Sequence, residues 1–306
     1  MSVGLVGLVV WSSLVGAPPR AAKTRTSKPP VSHRQPDDPS APPRIGARAA
    51  TVVDLTTGEV LYARAATEPH AIASISKLMA MRVAWKRGLG AKLAESTTMA
   101  RVDADTTWGG ARSRLIIGRE YLNKDLLHAA LLGSDNRAVV ALGRAVGREP
   151  DAFAQAMTAE AKALGLAHTR FVDPTGIDHG NQSTPAELVE LLRVTLTTME
   201  LANVTRTAKH LTSAKERSGR PLLYRNTNAL VHDPARKVLT GKTGFNSKAG
   251  WCVAFAAEIG PNRRVAVIVL GTKSKHLRFA DAKRLLNYAA NRKSKPAPPQ
   301  DEPAPE

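Results

Sequence analysis

Ser74 and Lys77 stand three residues apart in the stretch His70–Gly88, at what reads as the start of a helix. Leu78, Met81 and Trp85 follow at helical spacing, and Gly88 supplies a C-terminal stop. Residues i and i+3 share a helix face, so the hydroxyl and the amine come within hydrogen-bond reach, whereas Ser76 points elsewhere. A serine whose proton a neighbouring amine can take is equipped for nucleophilic acyl transfer. The free N–H groups of a helix start favour the negative charge that such chemistry develops. Alone the pair is weak, because a serine three residues before a lysine arises by chance about once or twice in a chain of this size. An N-cap serine beside a solvated lysine is the competing reading. Two further elements, Ser134-Asp-Asn136 and Lys242-Thr-Gly244, bear on the choice.

The elements around these residues can be read from pattern. Ala49–Leu55 and Glu59–Arg64 form short strands joined across Thr56-Thr-Gly58, a hairpin. The serine helix follows. Asn123–Leu132 and Ala138–Val146 read as two helices, with the turn Gly133–Arg137 between them carrying Ser134. Asp151–Leu164 is a third, and Thr184-Pro-Ala-Glu187 resembles a capping box opening a helix that runs to about Met199. The C-terminal third turns to strands, Lys237–Lys242, Trp251–Glu258 and Arg264–Leu270, whose short links make them antiparallel, before a closing helix from Arg278 to Asn291. The hairpin and these three strands make one sheet, interrupted by a helical insertion, with a cleft where the two meet.

Composition bounds the rest. A chain of 306 residues, 43% hydrophobic, has ample material for a globular core. Met1–Gly16 is nearly all apolar, the length of a signal-peptide core, although it lacks a positive leader; residues 1–19 are expected to direct export. Residues 20–46 read as a disordered basic, Pro-rich linker, residues 47–292 as the folded domain with its insertion at about 89–225, and 293–306 as a disordered tail. The net charge is +18; the linker carries six basic and two acidic residues and the tail two basic and three acidic, leaving +15 for the folded part. Such a surface favours polyanions, whether nucleic acid, anionic lipid or an acidic polymer, and charge alone does not choose among them. With 4% aromatic residues and no recognition motif, nucleic acid is not an expected partner. Cys252, the single cysteine, sits in an apolar run and reads as a packed core thiol. His70, His128, His210 and His276 lack metal-ligand spacing, so no metal or other cofactor is expected.

The three elements occur once each and in order: Ser74-Ile-Ser-Lys77, Ser134-Asp-Asn136, Lys242-Thr-Gly244. The trio resembles the active-site set of penicillin-binding proteins and serine β-lactamases. From about Ala49 to Leu286 the chain is most similar to the low-molecular-mass D-alanyl-D-alanine carboxypeptidase/endopeptidase family, and within it to the penicillin-binding protein 7 type. Phe171-Val-Asp-Pro-Thr-Gly176 and Asn226-Thr-Asn-Ala-Leu-Val231 extend the likeness. The resemblance implies an α/β, β-lactamase/transpeptidase-like fold: an antiparallel five-stranded sheet flanked by helices, with an inserted all-helical subdomain. It implies a periplasmic enzyme without a stable membrane anchor, acting on peptidoglycan stem peptides and inhibited by β-lactams.

By that resemblance Ser74 is the nucleophile and Lys77 its general base, with its pKa depressed by partial burial and by the positive charge of Lys242 and Arg278. Ser134 relays a proton to the leaving amine, Asn136 holds the substrate amide and Lys77, and Asp135 orders the turn. Lys242-Thr-Gly244 lies on a strand edge where an extended peptide can add as a further strand, and Gly244 permits its close approach. The N–H groups of Ser74 and Phe245 form the oxyanion hole, and Thr243 with Arg278 holds a substrate carboxylate.

Three rivals are distinguishable. A class A β-lactamase would carry a deacylating glutamate in a Glu-x-x-Leu-Asn loop; here no glutamate lies between Glu160 and Glu187. A carboxypeptidase with a strand-rich C-terminal domain would need more than the 62 residues that follow Gly244, which favours an endopeptidase cutting cross-links. A non-catalytic wall-binding protein would have lost Ser74 or Lys77.

Overall fold

The computed structural model describes residue 1 and residues 41–215 and 221–292; the expected export segment, the linker as far as residue 40 and the tail lie outside the described residues. The opening hairpin is β1 (Ala49–Asp54) and β2 (Val60–Arg64). Its turn is held by Asp54, whose Oδ1 accepts from the N–H groups of Thr56 and Thr57. The chain continues through β3 (His70–Ala71), α1 (Lys77–Lys86), β4 (Ser96–Thr98), α2 (Arg101–Asp105), β5 (Glu120–Leu122), α3 (Asn123–Leu131), α4 (Asn136–Ala145), α5 (Pro150–Ala163) and β6 (Gln182–Ser183). Next come α6 (Pro185–Leu196), α7 (Met199–Arg206), β7 (Lys209–Lys215) and β8 (Pro221–Arg225). It closes with β9 (Lys237–Asn246), β10 (Gly250–Gly260), β11 (Arg263–Thr272) and α8 (Lys275–Asn291).

Five strands pair in the order β2-β1-β11-β10-β9, antiparallel throughout. Alternation along β11 shows why it is central. Val265, Val267 and Val269 join the core beneath α8, which adds Ala282, Leu285 and Leu286. Ala266, Ile268 and Leu270 join the opposite core, shared with α1, α3, α4, α5 and α6. A strand covered on both faces reads as an unbroken apolar run, as this one does. Strand β9 is left at the edge of the sheet, beside the turn that carries Ser74.

The insertion expected to be all-helical is helical in bulk but also contains the short antiparallel pairs β4–β5 and β7–β8, and its β6 pairs with β3, which precedes it. Helix α6, inside the expected bounds of that insertion, packs on β1, β9, β10 and β11. Thr184 caps it by accepting from Glu187 N–H at 3.1 Å. The Glu187 carboxylate turns away to Thr169 and His168, so only half of the expected capping box forms. The helix also stops at Leu196, and α7 starts afresh at Met199.

Asp103 of α2 is fully buried and takes Arg144 of α4 in a two-pronged contact, Nε–Oδ1 2.9 Å and Nη2–Oδ2 2.6 Å. The pair ties the Trp108-Gly-Gly rim of the cleft to the helix that carries Asn136. Removing one partner strands a buried charge, so Arg144→Met should lower the unfolding free energy by about 3–5 kcal/mol, read from urea midpoints. Adding Asp103→Leu should recover part of the loss.

Candidate active site

Ser74 sits on one tight turn, Ala73–Ser76, that runs directly into α1. Ala73 holds φ +48, a left-handed conformation rare for a residue with a side chain, and so aims the serine into the cleft. Gly176, at φ +85, lies against the Ala73 carbonyl with no room for a side chain. Ser76 is turned inward, donating to Ala73 O and accepting from Asn181 Nδ2, as expected for the serine that does not face the lysine.

The Lys77 amine is completely buried. It lies 2.8 Å from Ser74 Oγ, 2.7 Å from Asn136 Oδ1 and 2.6 Å from Thr175 O. Two of these partners are carbonyl oxygens and can only accept. A neutral amine therefore gives its two hydrogens to Asn136 and Thr175 and turns its lone pair toward the serine hydroxyl. Burial pushes the Lys77 pKa down to about 7 against the pull of the Asp173 and Asp135 carboxylates. The positive crowding expected at Lys77 falls on Lys242 instead, which is held well below its ordinary value by burial and then by Lys77 and Arg278.

Ser134 stands at φ +59 between α3 and α4. Its Oγ accepts from Lys242 Nζ at 3.0 Å, and the same amine donates to Thr243 O at 3.0 Å. Asp135 fixes this turn: it caps α4 through Arg137 and Ala138 N–H, and also accepts from Ser113 Oγ and Tyr224 OH. Asn136 approaches Gly110, where a Cβ would meet its Nδ2 at 2.5 Å. On β9 a Cβ at Gly244 would lie 2.5 Å from Ile72 O and 3.2 Å from Ser74 N, so glycine alone lets this edge meet the nucleophile turn. Phe245, next along the edge, stacks on Trp251 at 4.1 Å.

Thr243 shares a 2.7 Å hydrogen bond with Thr227. Arg278 is on the first turn of α8, 3% exposed, and donates to Gly244 O and Cys252 O. Burial lowers its pKa to about 10, which leaves it charged at neutral pH. Cys252 is a buried core thiol, as its apolar neighbours implied. Ser74, Ser134, Asn136, Thr243, Gly244, Phe245 and Arg278 all border one cleft of about 710 Å³, with Lys77 and Lys242 beneath its floor.

Sequence reasoning did not single out Asp173, Thr175 or Lys275. Asp173 Oδ1 accepts from Thr175 N–H, Thr175 Oγ1 and Gly176 N–H, winding the loop that offers Thr175 O to Lys77. The Asp-Pro-Thr-Gly run is a readable turn signal; what it presents is a backbone atom, which side-chain spacing does not reveal. Lys275 lines the cleft from the start of α8.

The model of the D-alanyl-D-alanine carboxypeptidase family, peptidase S11, matches residues 36–274. The chain belongs to this family. It is 33% identical to a D-alanyl-D-alanine endopeptidase of Escherichia coli K12, over 97% of this chain and 91% of the relative. To a D-alanyl-D-alanine endopeptidase of Pseudomonas aeruginosa it is 34% identical, over 81% of each. The fold superposes on the crystal structure of the Streptomyces K15 DD-transpeptidase with TM-score 0.75 at 26% identity, covering 81% of this chain and 98% of that one.

A base that must lose its proton before it can act imposes a pH dependence. With the Lys77 pKa at about 7, the rate of Ser74 acylation by benzylpenicillin should rise about ten-fold between pH 6 and pH 8 and then level off. Stopped-flow or quenched mass measurements across that range check it; a profile still climbing to pH 10 would mean a lysine that keeps its ordinary pKa.

Proposed function

We propose that Ser74 of this serine DD-peptidase forms an acyl-enzyme with peptidoglycan peptides, and that the enzyme acts chiefly as an endopeptidase hydrolysing their cross-links. The observation that carries the catalytic reading is the 2.8 Å contact between Ser74 Oγ and a buried lysine whose other two contacts are both acceptors. Ser74 Oγ attacks the carbonyl carbon of the donor strand's D-alanine, where the cross-link joins it to the second strand, and its proton passes to Lys77 Nζ. The N–H groups of Ser74 and Phe245 receive the oxyanion. Asn136 Nδ2 and the β9 edge hold the donor peptide extended, and Thr243 with Arg278 takes the carboxylate beside the leaving amine. As the bond from the carbonyl carbon to that amine breaks, the proton held on Lys77 Nζ passes to the amine by way of Ser134, whose hydroxyl is held by Lys242, and Lys77 is neutral again. Water then attacks the ester with Lys77 again as base, and Ser74 is regained.

Both relatives named endopeptidase support cross-links as the substrate. The second reading, a carboxypeptidase on uncross-linked stems, is supported by the description of the family. Among the described residues no glutamate borders the cleft, which favours a penicillin target over a β-lactamase. Among them also, no helix is long and apolar enough to cross a membrane. With residues 1–19 as an export segment, we place the enzyme in the periplasm.

Intact-protein mass after mixing with benzylpenicillin should show one adduct lasting hours on the wild type and none on Ser74→Ala. Purified cross-linked dimers and pentapeptide monomers, compared by chromatography, should show the dimer to be the better substrate. A fleeting adduct with penicillin consumed would indicate a β-lactamase, and preference for the monomer a carboxypeptidase.

A further inference from the structure

A second cavity, about 310 Å³, opens beside the catalytic cleft. Ala111, Gly133, Ser134 and Thr227 line both, so the two spaces meet at Ser134. The outer walls of the smaller one come from the segment after the Trp108-Gly-Gly rim and from β8, and they contribute Arg112, Arg114 and Arg225. Among the described residues none of the three is paired with a carboxylate. Arg114 is fixed in place, donating to Leu223 O at 2.7 Å with its guanidinium 4.6 Å from the centre of the Tyr224 ring. All three arginines are exposed. Asp135 is the one carboxylate in the lining, and it is buried and occupied by Ser113, Tyr224 and the α4 N–H groups.

Three guanidinium groups around one hollow, with no carboxylate partner among the described residues, select for anions, and for carboxylates in particular, whose two oxygens match the arginine fork. Position says which part of a substrate would arrive there. The leaving amine must face Ser134 to be protonated, so whatever chain is attached to that amine extends past Ser134, into the arginine-lined space. A free D-alanine is too short to occupy it. A second peptide strand, released when a cross-link is cut, is not.

We propose that the cavity walled by Arg112, Arg114 and Arg225 is a subsite for the carboxylates of the second, leaving strand of a cross-linked peptide. This rests on the endopeptidase reading above and gives it a physical basis. The subsite selects cross-links over single stems, because only the former reach it. Being partly exposed and built on charge, its contribution weakens with salt.

The test uses the full-length protein and the double variant Arg112→Gln/Arg225→Gln, which leaves alone Arg114, held by Leu223 O and the Tyr224 ring. Three rates are measured: acylation by benzylpenicillin, hydrolysis of a cross-linked dimer with free acceptor-strand carboxylates, and hydrolysis of the same dimer with those carboxylates amidated except the one beside the scissile amine, which Thr243 and Arg278 hold. Expected is a ten-fold or larger fall in kcat/KM on the free-acid dimer, carried mostly by KM, with penicillin acylation within two-fold of wild type. On the amidated dimer the variant and the wild type should agree. Equal rates of variant and wild type on the free-acid dimer would overturn the subsite while leaving the endopeptidase reading intact. Equal losses on both dimers would overturn carboxylate recognition. A wild type that acylates with penicillin but cuts no dimer would overturn both. Should the double variant also lose penicillin acylation, the single variants Arg112→Lys and Arg225→Lys, which keep the charge, replace it; retention of the free-acid preference supports the subsite and its loss without loss of acylation overturns a charge-based one.

Discussion

Two lysine amines have been taken out of water and set against the two hydroxyls that do the chemistry. Lys77 is 0% exposed and Lys242 1%. Burying an ammonium costs several kcal/mol unless it is fully hydrogen-bonded or gives up its charge, and here both responses are visible. Each amine is surrounded by acceptors, Asn136 Oδ1 and Thr175 O for Lys77, Ser134 Oγ and Thr243 O for Lys242. Each has its pKa lowered. Between about 7 and its ordinary 10.5, the unfolded chain holds a proton on Lys77 that the folded chain does not. Stability therefore rises with pH through that window, and below it the fold carries the cost of the charge. The site is destabilised in the protonation state it does not use.

The surrounding architecture serves this burial. Three separate pieces of chain must close over the amines: the start of α1, the α3–α4 turn and the edge of β9. Two of the closing turns hold a non-glycine residue at positive φ, Ala73 and Ser134. Strain of this kind persists only where neighbours over-determine the backbone. At Ser134 the Asp135 carboxylate does so with its cap and its bonds to Ser113 and Tyr224. At Ala73 the constraint comes from Gly176, packed on its carbonyl, and from the Asp173-wound loop that holds Gly176 there. The hydroxyls thus stand in place before any substrate arrives, which is what electrostatic stabilisation of a transition state requires.

Much of this was legible in the sequence, for identifiable reasons. The i, i+3 spacing of Ser74 and Lys77 survives because a tight turn followed by a helix keeps that separation on one face. The strands β9, β10 and β11 were readable because antiparallel neighbours with short links leave a local pattern. What was not legible is what depends on contacts distant in sequence. The low Lys77 pKa was expected from partial burial together with neighbouring positive charge, whereas complete burial produces it and two carboxylates, not two cations, are the charges that bear on it. Thr175 acts through a backbone oxygen, invisible to residue type. The β7–β8 pair, polar at Lys209, His210 and Lys215, gave no strand signal; its Leu222 and Tyr224 are buried by packing that only the tertiary structure supplies.

The sheet order has a consequence for how the molecule comes into being. Strand β1 pairs with β11, so Ala49 waits for Leu270, and Gly46 N–H bonds to the carboxylate of Asp281. Loop closure over more than two hundred residues must precede the central pairing of the sheet. A chain emerging in order, amino end first, has its nucleophile helix long before it has Lys242, and β1 has no partner on its inner side until the last strand, β11, appears. A chain that ends before β9 and β11 cannot hold an assembled catalytic centre. The exposed edge of β1 in the meantime is an open invitation to mispairing, so maturation of this enzyme is a race between closing its own sheet and joining a neighbour's.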